Sequence, residues 1–242
     1  MSHYKTPLRD MRFVFNELLN AQNHYQNFEA GREATPDMVA AIMEEGAKFS
    51  ERVLSPLNQI GDQQGCQWSE EGVTTPEGFR DAYQQFVEGG WPSLAHDTEW
   101  GGQGLPESLG IVLNEMVGTA NWSWSMYPGL SHGAMNTIEA HGTQDQKETY
   151  LTKLVSGEWT GTMCLTEPHA GTDVGALKTR AKREDDHYRI EGAKIFITYG
   201  DHDFTDNVIH MVLARLPDAP AGSKGISLFI VPKFLVNEDG SL

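Results

Sequence analysis

The chain has 242 residues, of which 39% are hydrophobic and 21% charged, so it is long enough to bury one large core or two modest ones. This composition excludes global disorder. A formal net charge of -16 argues against nucleic acid or an anionic membrane surface as the main partner, because both are themselves negatively charged.

The two cysteines and the N-terminal residues bear on the compartment. Cys66 and Cys164 are far apart in unlike contexts, so they predict neither a disulfide framework nor a metal knuckle. The N-terminus lacks the apolar core of a secretory signal, and no stretch approaches the roughly 20 apolar residues of a membrane span. We therefore expect a soluble, cytoplasmic protein.

The first half of the chain contains a series of helix-start signals. Thr6–Pro7, Thr35–Pro36 and Thr75–Pro76 each place a capping residue before a proline, an arrangement that suits the first turn of a helix. The apolar stripe after Thr35 is expected to end at Pro56, because proline interrupts a helix.

Three more helices are predicted before the middle of the chain. Apolar residues at helical spacing indicate helices over residues 108–119 and 132–141. Thr143–Gln146 has the pattern of a capping box and opens the third helix, which Gly157 is expected to follow as a left-handed residue.

Near Trp159 the apolar period changes to 2, which is typical of strands. Turn signals at 185–186 and 192–193 predict antiparallel pairing there. The absence of strand-helix alternation makes a doubly wound nucleotide fold improbable, so we expect an α+β chain: an all-helical domain, then an antiparallel sheet or barrel. The predicted strands are Thr160–Leu165, Leu177–Arg183, Tyr188–Glu191, Lys194–Thr198, Val208–Leu213 and Ile226–Val231.

These elements predict three segments. They are an N-terminal helical extension (1–34), a helical domain (35–158) and a sheet domain (159–242). The last predicted strand is followed by a polar turn, and no later element covers its edge. We therefore expect the sheet domain to be incomplete and the chain to be a fragment of a larger protein.

One loop has a composition suited to ligand binding. Between Cys164 and Ala176, a strand runs into a proline and then a loop of small and hydroxyl residues. Gly171 would allow close approach, and the hydroxyls of Thr166 and Thr172 together with successive backbone N–H groups could bind a flat or phosphorylated ligand. An ordinary surface turn explains the same composition equally well.

This loop resembles the first signature of the acyl-CoA dehydrogenase flavoprotein family. Lys194–Thr198 is similar to the family's second flavin strand, where an aromatic residue and a threonine flank an aliphatic one. Pro92 with Glu99–Leu105 resembles its acidic-aromatic-Gly-Gly loop, and Gly142–Lys147 resembles the helix before its sheet domain. The resemblance extends over nearly the whole chain from about Thr35.

Two further stretches are similar to one branch of that family. Met126–His132 and Leu213–Gly222, with the additional N-terminal helix, resemble the long bacterial branch that includes methylthiopropanoyl-CoA dehydrogenases. The family resemblance implies FAD-dependent α,β-dehydrogenation of an acyl-CoA thioester, as in fatty acid metabolism. It also implies an electron-transferring flavoprotein as oxidant, and a homo-oligomer for the full-length protein.

The resemblance also implies where FAD would bind. Thr172 is also implied to lie near the pantetheine of the substrate. Phe196 stands where the family commonly has tryptophan. The implied FAD-binding residues are Met163, Cys164, Leu165, Thr166, Gly171, Thr172, Phe196, Ile197 and Thr198.

The family's catalytic base is a glutamate in a C-terminal helical domain, so no catalytic residue is assigned here and the chain is expected to be inactive alone. Its own acids are explained as solvated helix faces, loop acids or, for Glu167, a structural tie to backbone N–H groups. The acids considered are Glu99, Glu115, Glu139 and Glu167.

Other candidate groups are weaker. The histidines, including His132, His141 and His169, include no two at i, i+4 spacing that could bind a metal with a carboxylate partner, so we expect no metal site. The cluster Trp122, Trp124, Met126 and Tyr127 fits an inter-helix core better than an acyl pocket. The cluster Lys178, Arg180, Lys182 and Arg183 fits a solvated strand edge better than a site for a CoA phosphate.

Two alternative functions remain open from the sequence. An acyl-CoA oxidase or related flavin oxygenase uses a similar flavin cradle, and oxygen reactivity would distinguish it from a dehydrogenase. A flavin-free interaction module would show no flavin colour even after incubation with FAD.

Overall fold

The structure is a computed structural model that describes residues 4–242. Helices occupy the chain as far as Val155 and a larger sheet occupies it from Thr160, which confirms the predicted order of a helical part and then a sheet part. The first three residues of the predicted N-terminal extension lie outside the described residues. No helix of residues 4–242 has the length and apolar character needed to cross a membrane.

Two π-helical segments interrupt the helical part, Phe13–Leu18 after α1 and Ser50–Leu54 between α4 and α5. The helices are α1 (Leu8–Arg12), α2 (Ala21–Tyr25), α3 (Glu29–Glu33), α4 (Pro36–Phe49), α5 (Ser55–Gln64), α6 (Phe79–Glu88), α7 (Glu107–Ala120), α8 (Trp122–His141) and α9 (Gln144–Val155).

Two of the predicted caps form as expected. The Thr35 side chain accepts a hydrogen bond from the backbone N–H of Met38, with Pro36 in the first turn of α4. Thr143 and Gln146 form a complete capping box at the start of α9. Gly157 follows that helix with φ +77°, the left-handed conformation that glycine adopts readily.

Three helix boundaries near prolines differ from the sequence expectation. Pro56 does not end the helix, because the wider π turn at Ser50–Leu54 carries the chain into α5, where proline stands in the first turn. Thr75–Pro76 does not open a helix, because the Thr75 hydroxyl donates to Asp203 and α6 begins at Phe79. The helix predicted to begin at residue 132 begins at Trp122, ten residues earlier, and α8 contains Pro128 in its interior.

The larger sheet is mixed, so the prediction of an antiparallel sheet is wrong in its pairing. Parallel pairing joins β3 to β6 from Thr160↔Val208 to Cys164↔Val212, and β4 to β6 at Arg180↔Arg215. The pairs β4–β5 and β6–β7 are antiparallel. The strands are β1 (Gln67–Ser69), β2 (Gly72–Thr74), β3 (Thr160–Cys164), β4 (Arg180–Glu184), β5 (His187–Glu191), β6 (Val208–Arg215) and β7 (Ile226–Pro232), and β1 and β2 form a separate hairpin.

The predicted strand over Lys194–Thr198 does not form. Phe196 and Tyr199 have φ values of +54° and +53°, which interrupt the extended backbone that a strand requires. The segment is an irregular connection, and the turn at 192–193 therefore joins no hairpin.

The helical part packs directly on the edge strand β3. Gly161 of β3 faces Ala134 of α8, where an added Cβ would lie 2.5 Å from the alanine Cβ. The Gly161 backbone N–H also donates to the Ser131 hydroxyl across 3.0 Å. Glycine at this position allows α8 to approach the strand closely, and this contact fixes where the loop after β3 begins.

Candidate functional site

The loop that leaves β3 is closed by its own backbone. The N–H of Glu167 donates to the carbonyl oxygen of Ala170 across 2.7 Å, and the N–H of Ala170 donates back across 3.1 Å. This reciprocal pair makes a tight turn at Pro168 and His169. Gly171 and Thr172 follow this turn and lead to the short 3-10 helix Val174–Ala176, which precedes β4.

The buried carboxylate of Glu167 joins three segments of the chain. It accepts hydrogen bonds from the backbone N–H groups of Lys178 at 2.7 Å and Thr179 at 3.0 Å, and from Lys194 Nζ at 2.9 Å. Burial raises the pKa of Glu167, but hydrogen bonds from Thr179, Lys178 and Lys194 outweigh it and lower the pKa to about 2. The backbone tie expected for Glu167 is therefore present, and a lysine completes it.

The predicted second segment lies beside the end of β3. Lys194 Nζ donates to the carbonyl oxygen of Leu165 at 3.0 Å, and the backbone N–H of Ile195 donates to the Thr166 carbonyl at 2.9 Å. The Thr162 hydroxyl donates to the Thr198 carbonyl at 2.6 Å. The loop after β3 and the segment 194–198 are thus adjacent although no ladder joins them.

The surface these segments share is open and partly apolar. Phe196 is 87% exposed and Met163 is 37% exposed, and both are large apolar side chains. Thr172 and Thr198 are exposed, and Thr166 is half-buried. An aromatic ring, a methionine and threonine side chains of these segments are therefore accessible to solvent.

Not every predicted site residue lies on that surface. Cys164 is buried, and burial, opposed by the nearby Lys194, raises the pKa of its thiol to about 11, which keeps it neutral. Ile197 and Leu165 are half-buried. At Gly171 an added Cβ would lie 3.4 Å from the Thr166 side chain, an ordinary contact, so the protein itself does not require glycine there.

FAD fits the groups that are accessible here. Among the strands of residues 4–242, β3 pairs with β6 alone. The Gly161 N–H and the Leu165 carbonyl are already bonded to Ser131 and Lys194, so the outward backbone groups between them are the ones that no neighbouring strand uses. An open strand edge beside an exposed aromatic ring offers hydrogen-bonding groups and a flat apolar surface to a planar heterocycle. The residues that would hold the ring are those of β3's end and Phe196–Thr198.

Two of these contacts were missed from the sequence. Lys194 was recognised only as part of a motif, yet its ammonium connects Leu165 and Glu167. Thr162 contacts the segment 194–198 through its hydroxyl. A lysine before an apolar run gave no separate signal, because its partners lie 27 and 29 residues away in the chain.

The other clusters named from the sequence differ in their exposure to solvent. Trp124 and Tyr127 are buried in the helical core, whereas Trp122 is 70% exposed and Met126 half-buried. The basic cluster from Lys178 to Arg183 has exposed side chains. Residues 4–242 contain no group of three or more His, Cys, Asp or Glu side chains placed to hold a metal ion.

Comparison with known protein families gives two matches in chain order. Residues 36–158 match the family described as acyl-CoA dehydrogenase, N-terminal domain. Residues 162–240 match the family described as acyl-CoA dehydrogenase, middle domain.

Curated relatives match along almost the entire chain. A 3-methylmercaptopropionyl-CoA dehydrogenase of Ruegeria pomeroyi is 43% identical over 98% of this chain. A butyryl-CoA dehydrogenase of Syntrophomonas wolfei is 39% identical over 100% of it. In both cases the match spans 40% of the relative's own length.

Solved structures match in fold as well. The butyryl-CoA dehydrogenase of Megasphaera elsdenii has a TM-score of 0.68 at 27% identity, over 82% of this chain and 49% of its own. An acyl-CoA dehydrogenase from Geobacillus kaustophilus has a TM-score of 0.67 at 26% identity, over 82% of this chain and 49% of its own.

Proposed function

The chain belongs to the acyl-CoA dehydrogenase family, and from this premise we propose that it forms the FAD cradle of an enzyme that dehydrogenates an acyl-CoA thioester. The observation that carries the proposal is the adjacency of the β3 exit loop and the segment 194–198, with Phe196 exposed beside an open strand edge. Bound FAD would supply hydride acceptance from the β-carbon of the acyl chain.

Each part of this surface has its own role in the proposal. The backbone of Met163–Leu165 and the Thr166 hydroxyl bind the polar end of the flavin ring and stabilise negative charge on it. Phe196 packs against the ring, Ile197 completes the apolar wall and the Thr198 hydroxyl donates to a ring nitrogen. Gly171 and Thr172 lie toward the pyrophosphate, and Thr172 also binds the substrate's pantetheine.

We further propose that the catalytic base is contributed from outside these 242 residues. Glu167 is locked in three hydrogen bonds with its pKa lowered to about 2, so it is a poor proton acceptor from carbon. Glu139 is engaged with His96, and Glu99 and Glu115 are exposed on a loop and on α7. The chain spans about 40% of the curated relatives it matches, so the activity of the whole protein rests on more than these residues.

FAD titration of the purified 242-residue chain tests the cradle. We expect stoichiometric binding with a perturbed flavin spectrum, and no reduction of an electron acceptor by an acyl-CoA panel. A folded chain, judged by circular dichroism, that leaves free FAD unchanged would overturn the cradle and favour a flavin-free interaction module. Turnover with acyl-CoA would overturn only the external base and direct attention to the internal glutamates.

The acceptor distinguishes two enzymes that share this cradle. We propose an electron-transferring flavoprotein as the oxidant, as the family resemblance implies. In a longer chain that turns over, acyl-CoA-dependent reduction of such a flavoprotein without hydrogen peroxide release supports the dehydrogenase. Peroxide formed in proportion to the substrate consumed would instead identify an acyl-CoA oxidase.

A further inference from the structure

Four side chains outside the proposed flavin surface, which consists of the loop after β3 and the segment 194–198, form one continuous hydrogen-bonded row. Glu139 Oε2 lies 3.3 Å from His96 Nδ1, and His96 Nε2 lies 3.2 Å from His132 Nδ1. His132 Nε2 lies 2.9 Å from Glu107 Oε1. The row, which we call the Glu139–Glu107 row, joins α8, the loop between α6 and α7, and the first residue of α7.

The middle of the row is sheltered at His96, and both ends are open. His96 is 2% exposed, whereas the Glu139 and Glu107 side chains are 31% and 53% exposed, so the row exchanges protons with solvent at its ends, most readily at Glu107. The charged groups that face His96 are Glu139, His132 and Glu107. Asp97 and Glu99 of the same loop are exposed to solvent.

Counting the protons in the row fixes its charge. A carboxylate only accepts, so His96 Nδ1 must donate to Glu139 and His132 Nε2 must donate to Glu107. The contact between His96 Nε2 and His132 Nδ1 needs one proton, because two bare nitrogens or two N–H groups repel each other there. Three ring protons on two imidazoles leave one ring cationic.

Burial decides which ring holds the positive charge. Burial lowers the pKa of His96, although its hydrogen bond to Glu139 opposes this effect, so His96 is the neutral ring. His132 lies between the neutral ring and a carboxylate. Asn136 Nδ2 lies 3.1 Å from His132 Nε2, and its amide can be turned to present the oxygen to that N–H.

We propose that the Glu139–Glu107 row is a single-proton site, meaning that it holds one ring proton more than two neutral imidazoles carry. The row fastens the α6–α7 loop to α7 and α8 only when it holds this one imidazolium between two carboxylates. This inference is independent of the proposed flavin function, because none of the four side chains belongs to the flavin surface.

The site responds to pH in both directions. When the third ring proton is lost on raising the pH, two ring protons remain for three contacts, so one contact is left with two acceptors. We expect this contact to be the one between His132 Nε2 and Glu107, because Glu107 is 53% exposed and water can solvate both groups there. When a fourth proton is added, two imidazoliums face each other at the central contact. Because the pKa of His96 is lowered by folding, the unfolded chain takes up that proton first, so stability falls as the pH falls below the ordinary histidine range.

The ring nitrogens can be observed directly in the 242-residue chain by ¹⁵N NMR. Near the pH at which the loop is best protected, we expect both His132 nitrogens to be protonated and His96 to have a protonated Nδ1 and a bare Nε2. A bare nitrogen on His132 at that pH would overturn the proposal, whatever any variant does.

Hydrogen exchange at Gly104, whose N–H donates to the His96 carbonyl, reports the loop itself. Corrected for intrinsic exchange, its protection is expected to fall about tenfold on both sides of an optimum, as for the loss of one charged hydrogen bond. Glu107→Gln is expected to remove the fall on the alkaline side, because its amide N–H donates to a bare His132 Nε2.

Glu115→Gln, an exposed carboxylate on the same helix, serves as the matched control and should keep the parent profile. An unchanged profile in Glu107→Gln, or a profile altered equally in both variants, would contradict the single-proton site.

Discussion

Lys194 Nζ lies 2.9 Å from Glu167 Oε1, and the side chains of both residues are almost fully withdrawn from solvent. The same ammonium donates to the Leu165 carbonyl, so one lysine connects the turn after β3 to the segment that follows β5. No strand pairing joins these segments. The ion pair, with the backbone bond between Ile195 and Thr166, therefore holds the two halves of the proposed flavin surface at a fixed separation.

Replacing this lysine should destabilise the chain strongly. Lys194→Met leaves the Glu167 carboxylate buried without its cationic partner, for which the expected loss of unfolding free energy is about 3 kcal/mol. Urea unfolding measures it. Lys233→Met is the control, because its partner Asp201 is about one-third exposed and the expected loss is below about 1 kcal/mol. Equal losses in the two variants would mean that the buried Lys194–Glu167 pair contributes no more to the unfolding free energy than the exposed pair.

Glu167 should also make stability depend on acid. Its pKa is lowered from 4.5 to about 2 on folding, so its contribution is full above about pH 5 and is lost as the pH falls toward 2. The contribution is on the order of 3 kcal/mol. Glu167→Gln should be less stable at neutral pH and should show a shallower decline in that acid window. The exposed Glu99→Gln should keep the parent slope, and a parallel decline in all three proteins would contradict the assignment.

Phe196 should matter for flavin and little for folding. Because the ring is 87% exposed, Phe196→Ala should change the unfolding free energy by less than about 0.5 kcal/mol. The FAD dissociation constant should nevertheless rise and the bound-flavin spectrum should shift, because the flavin ring loses its aromatic neighbour. Trp68→Ala removes another exposed aromatic residue, 78% exposed, on the β1–β2 hairpin and should leave FAD binding unchanged. Equal FAD affinities in the parent and in both variants would remove Phe196 from the site.

Thr198 offers a separate test of the flavin surface. Its carbonyl accepts from Thr162, a contact that Thr198→Val retains, so the fold should persist while the exposed hydroxyl is lost. Losing one hydrogen bond of about 0.5 to 1.5 kcal/mol should weaken FAD binding by roughly 2- to 13-fold. Titration and the flavin reduction potential measure the effect, in a longer chain if this one binds weakly.

The control for Thr198 follows from the structure. Thr205, in a polar loop, is unsuitable as the control. Its hydroxyl donates to the Asn207 carbonyl and contacts Thr160, so its replacement would disturb β3. Thr74→Val, at an exposed position of β2, changes the same groups without those contacts. If Thr198→Val and Thr74→Val bind FAD alike, the hydroxyl does not reach the flavin.

The sequence alone determined the features that depend on neighbours within a few residues. The caps at Thr35 and Thr143, the left-handed Gly157, the change of period near Trp159 and the hairpin at Asp185 all form where local chemistry predicted them. Each rests on interactions among adjacent residues, such as a side-chain oxygen accepting an N–H three positions later. The motifs of the β3 exit loop were readable for the same reason.

Only the tertiary structure decided how distant segments meet. Lys194–Thr198 has the composition of a strand, yet its lysine donates hydrogen bonds to Leu165 and Glu167. Left-handed conformations at Phe196 and Tyr199 also break the extended backbone. His96 and His132 appear isolated in sequence because their carboxylates stand 43 and 25 residues away, respectively. Rules based on residue spacing predict only contacts within one helix or strand. Pairing direction, buried ion pairs and shared protons depend on which surfaces the folded chain brings together.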